Sequence, residues 1–158
     1  MDQRLIPGVR LLLLQLLALD ALIHLADIAP NLAAVLQSGA TPRTTTVLIA
    51  LSVVAIVVGV LAVWAGLLSY RTAYALAAAL MLAEIVAWLV VHNTSLGHTH
   101  DASLLVSTVQ HFVGEPIETA AKTAEAIALV LAVYLFRVDA AATTYRTSSV
   151  RRLLAREE

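Results

Sequence analysis

Asp20, His24 and Asp27 stand at i, i+4 and i+7 inside one long apolar segment, and Glu118, Lys122 and Glu125 repeat that spacing in another. Helical periodicity puts each trio on one face of its helix, within an arc of about 60°. A third apolar segment carries Glu84 and His92. A charged Asp, Lys or Arg at the centre of a membrane helix costs about 2.5 to 3.5 kcal/mol on the insertion scale, so such groups persist where they are paired, hydrated or bound to an ion. The three segments point to a polar site enclosed by a membrane bundle.

Imidazole and carboxylate without sulfur form a ligand set suited to Zn, Fe or Mn, and the D-x-x-x-H spacing of Asp20 and His24 directs both side chains to one point. The candidate metal ligands are Asp20, His24, Asp27, Glu84, His92, Glu118 and Glu125, joined by His98, His100 and His111 from the polar stretch after the third segment. The expected cofactor is a divalent metal, Zn or Fe. The paired E-x-x-H motifs of di-iron bundles are absent, so a ferritin-like reading has no support. Haem between His24 and His92 fits less well, because haem pockets are mostly apolar and four carboxylates lie close by. Retinal on Lys122, the only lysine, does not suit a chain of four spans. Ser103 and Ser107 lie near the loop histidines, but without a G-x-S-x-G or H-E-x-x-H motif they indicate no hydrolase. Whether the chain is an enzyme is open at this level.

Two other classes use the same residues. Stacked carboxylates with a histidine and a lysine are the parts of a proton or cation relay in a transport component. An accessory subunit would instead turn its polar stripes toward the helices of a membrane-protein partner or of a second copy. Plainer readings exist as well. Glu118, Lys122 and Glu125 can form a self-neutralising ion-pair triad, and His98 and His100 can be solvated loop residues. Asp20 and Asp27 around one imidazole leave excess negative charge, which resists that simplification. Glu84 has only Leu80 and Trp88 one turn away, so its partner must come from another helix or from water.

The elements that must position these residues follow from composition and hydropathy. Of 158 residues, 60% are hydrophobic and 13% charged, against about 45 to 50% and 25% in soluble domains, which places the chain in a lipid bilayer. A net charge of -1 gives no reason to expect nucleic acid. Cysteine is absent, which removes disulfides and thiolate zinc sites. The fold expected is all-α, an integral membrane four-helix bundle, with helices over residues 9–29, 46–69, 73–92 and 116–136. Pro30 should end the first helix and Pro116 should open the fourth. Arg4 and Arg10 ahead of the first apolar run resemble a signal peptide, but Asp20, His24 and Asp27 follow at once, so the helix reads as retained. The second helix carries no charge and should face lipid, contributing packing alone. Leu105, Val109 and Phe112 suggest a short interfacial helix between the third and fourth spans, capped by Asp101. Residues 1–137 would form the membrane domain and 138–158 a basic tail against anionic headgroups.

Orientation follows from the basic residues. With both termini cytoplasmic in the cell membrane, eight arginines lie inside, whereas Arg43 and Lys122 lie outside. Counting 1.5 Å per residue from the outer boundary puts Asp20, Glu84 and Glu125 all roughly 12 Å deep. His24 and Lys122 come one turn higher, and Asp27, His92 and Glu118 at the rim. The expectation is an outward-facing cavity lined by the first, third and fourth helices. Three carboxylates at one depth also require a cation or a retained proton.

Overall fold

A computed structural model describes residues 3–39, 41–93, 109 and 113–139. They form a short 3-10 turn, Gln3–Leu5, and four α-helices: α1 (Ile6–Ser38), α2 (Thr44–Trp64), α3 (Tyr70–Asn93) and α4 (Pro116–Val138). Each of the four is long and apolar enough to span a membrane. Their order around the bundle is α1, α2, α3, α4, with α4 packed most extensively on α3 and α1 and the α2–α3 seam the slightest. Successive helices run in opposite directions, so the starts of α1 and α3 meet the end of α4 at one end of the bundle.

α1 is longer than its sequence suggests. It passes through Pro30, which costs the Ala26 carbonyl its partner in the helical ladder, and continues for two more turns to Ser38. Leu32, Ala33, Ala34, Val35 and Leu36 favour the continuation. The stop comes at Gly39, whose φ of 67° turns the chain into the left-handed region while its N–H caps the Val35 carbonyl at 2.9 Å. α2 stops earlier than expected because Gly66 adopts a φ of 72°. Ser69 then opens α3: its Oγ accepts a hydrogen bond from the Thr72 N–H at 3.2 Å.

The inner face of α4 carries Ala121, Ala124, Ala128, Ala132 and Leu135, all 3% exposed or less. Their spacing of three and four residues makes one stripe, and the small side chains let α1 and α3 approach closely. Leu13, Ala21, Ile56, Tyr74 and Met81 complete the core from the other helices. Outward faces are apolar as well, with Leu22, Leu51, Val54, Leu76 and Val130 all more than half exposed. A bundle that is apolar outside and polar at selected interior points is matched to hydrocarbon rather than to water.

The end of the bundle where α1 begins and α4 ends is tied by charge. Arg10 donates from Nε and Nη2 to Asp139 Oδ2 at 2.9 and 2.5 Å, and the Tyr74 hydroxyl donates to the same oxygen at 2.6 Å. The Arg10 guanidinium also lies over the Tyr70 ring, 4.1 Å from its centroid. The expected interfacial helix falls outside the described residues apart from 109 and 113–115, as does the tail beyond Asp139.

Candidate metal centre

α1 places Asp20 and His24 one turn apart on its inward face, because i and i+4 share a side of the helix. α4 places Lys122 and Glu125 on the edge of its alanine stripe, and α3 brings Glu84 from the opposite wall. One donor atom each from Asp20, His24, Glu84 and Glu125 falls within 4.8 Å of all the others. Donors of a tetrahedral Zn site stand about 3.4 Å apart, and donors on opposite sides of an ion about 4.2 Å apart, so the four side chains are gathered around one point and would draw together to hold an ion.

Burial makes the arrangement unusual. Asp20 and Glu125 are both 0% exposed. His24 Nε2 lies 3.5 Å from Asp20 Oδ1 and 3.4 Å from Glu125 Oε1, between two acids on two helices. Lys122 Nζ donates to Glu125 Oε1, and Ser52 Oγ donates to Glu84 Oε1. Among the described residues, no hydrogen bond reaches either oxygen of Asp20, Glu84 Oε2 or Glu125 Oε2. Buried carboxylate oxygens without a hydrogen-bond donor are expensive in a low-dielectric interior unless a cation or a retained proton offsets the cost.

A cavity of about 820 Å³ adjoins the cluster and is lined by all four helices. Ile23, Leu48, Ile49 and Val91 supply apolar wall, His24, Ser52, Glu84 and Lys122 reach it from the cluster, and Asp27 and Glu118 lie nearer the loop-bearing end. Glu118 accepts a hydrogen bond from Trp88 Nε1, so Trp88 has a polar partner as well as its packing role.

Of the residues singled out by spacing, Asp20, His24, Glu84 and Glu125 come together. Asp27 and Glu118 line the cavity one to two turns away and stand apart from the four-donor group. The side chain of His92, and His98, His100 and His111 entirely, lie outside the described residues. The partner of Glu84 is supplied by another helix, as its isolation in α3 requires. That helix is α2, which corrects the expectation that α2 serves packing alone: Thr45, Leu48, Ile49 and Ser52 line the cavity and Ser52 is 8% exposed. A serine costs little in hydrocarbon and so gave no warning of its role. The signal that existed was the spacing of Thr45, Ile49, Ser52 and Ile56, one stripe of a uniformly apolar helix.

Comparison with protein-family models, with curated proteins and with solved structures returns no match. The chemistry of the centre therefore follows from its own side chains.

Proposed function

We propose that this chain is a multi-pass protein of the cell membrane that binds a divalent metal, Zn or Fe(II), through Asp20, His24, Glu84 and Glu125, with access from the outer face through the adjoining cavity. The observation that carries the reading is the four-donor group within 4.8 Å that contains a fully buried Asp20 whose two oxygens receive no hydrogen bond from the described residues. Three carboxylates and one imidazole suit a borderline or hard divalent ion, and all four donors bind in forms that protein sites supply near neutral pH. Lipid is the surrounding partner, and the apolar outer faces support this. Both termini are assigned to the cytoplasm on the distribution of arginine.

The second reading is a proton relay, and Lys122 favours it: an ammonium already bound to Glu125 offsets part of the cluster's charge without any metal. The experiment that separates the two is metal analysis of the purified chain, followed by Zn and Fe(II) titration of the wild type and of Asp20→Asn combined with His24→Ala. Saturable binding lost in the double variant supports the metal centre. A wild type that binds neither ion rejects it.

A further inference from the structure

Lys122 is the chain's only lysine, and it reaches into the donor group itself. Its ammonium donates to Glu125 Oε1, the oxygen that also faces His24 Nε2 at 3.4 Å, and the residue is 8% exposed. An ammonium needed merely to balance charge near the membrane surface would be better placed in water, where its solvation costs nothing. Here it is held inside, one residue from the alanine stripe that packs α4 against the bundle.

We propose that Lys122 sets the charge of the ion this centre accepts, acting as a resident unit charge that makes the site selective for divalent over trivalent cations. The inference rests on the metal reading above. When Asp20, Glu84 and Glu125 all ligate they carry three negative charges, and the neutral imidazole of His24 adds a donor without a charge. The ammonium offsets one, which leaves two for the ion to supply. A divalent ion then brings the buried group to neutrality, whereas a trivalent ion leaves an excess positive charge where uncompensated charge is costly. Asp27 and Glu118 also face the cavity. So does Glu115; Asp27 and Glu115 are exposed, where solvent screens them, Glu118 is half-buried and bonded to Trp88 Nε1, and all three stand outside the four-donor group.

The expected size follows from the shared carboxylate. A charge-assisted hydrogen bond of about 2.8 Å and a metal–oxygen bond of about 2.2 Å on Glu125 keep ammonium and ion within about 5 Å. At an effective dielectric near 20, one unit of charge at that distance changes a binding constant by roughly a hundredfold. A trivalent ion feels the ammonium by one unit more than a divalent ion does, so removing it must change the ratio of the two affinities.

The test uses the full chain in detergent, with Zn followed by calorimetry and Tb(III) by its luminescence. In Lys122→Met the ratio of Tb(III) to Zn affinity should rise at least about tenfold over wild type, and Lys122→Arg, which keeps the charge, should retain the wild-type ratio. Lys122→Gln is a second neutral variant, which carries the test where the methionine variant fails to assemble. Loss of a merely structural lysine would weaken both ions together and leave the ratio unmoved. A ratio unchanged in the neutral variants, or shifted equally by arginine, overturns the assignment while leaving the metal centre standing. A wild type that binds neither ion overturns both.

Discussion

Arg10 and Asp139, 129 positions apart in the chain, meet at the end of the bundle where α1 begins and α4 ends, with Nε 2.9 Å from Oδ2. The Asp139 side chain is 1% exposed and that of Arg10 26%. Together with Tyr74 they join the second turns of α1 and α3 to the residue that caps the end of α4. Removing one partner leaves buried groups without compensation, and this is what makes broken buried ion pairs costly.

Asp139→Ala should therefore destabilise the bundle by about 3 kcal/mol, the low end of the range for a broken buried pair, because Arg10 can turn partly to water. Reversible unfolding in mixed micelles measures it. The double variant with Arg10→Ala should lose less than the sum of the two single changes, since the two residues act as one unit. Additive losses would show that the pair contributes nothing as a pair. Metal binding should be unaffected, because the cluster lies at the opposite end from the cavity mouth.

Glu84 is the second test, because its position depends on two helices at once. Glu84→Gln keeps the shape and removes one of the three ligating charges, and should weaken Zn binding by at least about tenfold, within the range expected for lost metal interactions. Ser52→Ala removes the hydroxyl that holds Glu84 Oε1 and should weaken binding by a smaller factor in the same direction. Val54→Ala, on the exposed face of α2, is the control that should change nothing. Equal effects from Ser52 and Val54 would remove α2 from the centre.

Depth and azimuth were not equally legible in the chain. Rise per residue is fixed, so counting from the helix ends put Asp20, Glu84 and Glu125 at one level, and they do meet. Which way each stripe faces depends on packing between helices, and that is set by features without a charge signature: the alanine stripe of α4, and Ser52 on α2. Helix ends were misjudged where backbone conformation decides them. Pro30 reads as a terminator because it lacks an N–H, yet the apolar run beyond it sustains the helix until Gly39 takes a positive φ. Asp139 escaped notice because it follows the apolar segment and reads as the start of a polar tail, whereas its carboxylate is folded back under Arg10 and Tyr74.

The arginine distribution makes a separate prediction about sidedness. A protease site inserted after residue 97 should be cut from outside intact cells alone, and one inserted after residue 140 from the cytoplasmic side alone. Both ends cut from one side would remove the outward cavity along with the orientation. Arg71 and Arg137 support the assignment, because both sit at the same end of the bundle as Arg10, and the Arg71 guanidinium lies 4.8 Å from the Phe136 ring centroid. Replacing Arg71 by Glu weakens that bias and should produce a fraction of inverted molecules, measurable by the same digestion.

Proton release distinguishes a metal centre from a relay. A carboxylate binds a metal ion in its ionised form and an imidazole in its neutral form, so every proton held by Asp20, His24, Glu84 or Glu125 in the metal-free protein must leave when the ion arrives. The sign follows: protons compete with the metal, affinity falls as pH falls, and acidification through the histidine range should weaken binding most where more than one proton has to be displaced. Calorimetric titration of Zn into the protein in two buffers of different ionisation enthalpy reads the number released directly. Proton release that saturates with the bound ion, and that is smaller in Glu84→Gln, is the expected result, because the amide has no acid proton to lose. A relay gives a different record, with no binding heat and a carboxyl titration that infrared spectroscopy finds unchanged by added metal. The single histidine between Asp20 and Glu125 would then carry protons between the two acids instead of ligating an ion, and the 3.4 and 3.5 Å separations would be the transfer distances.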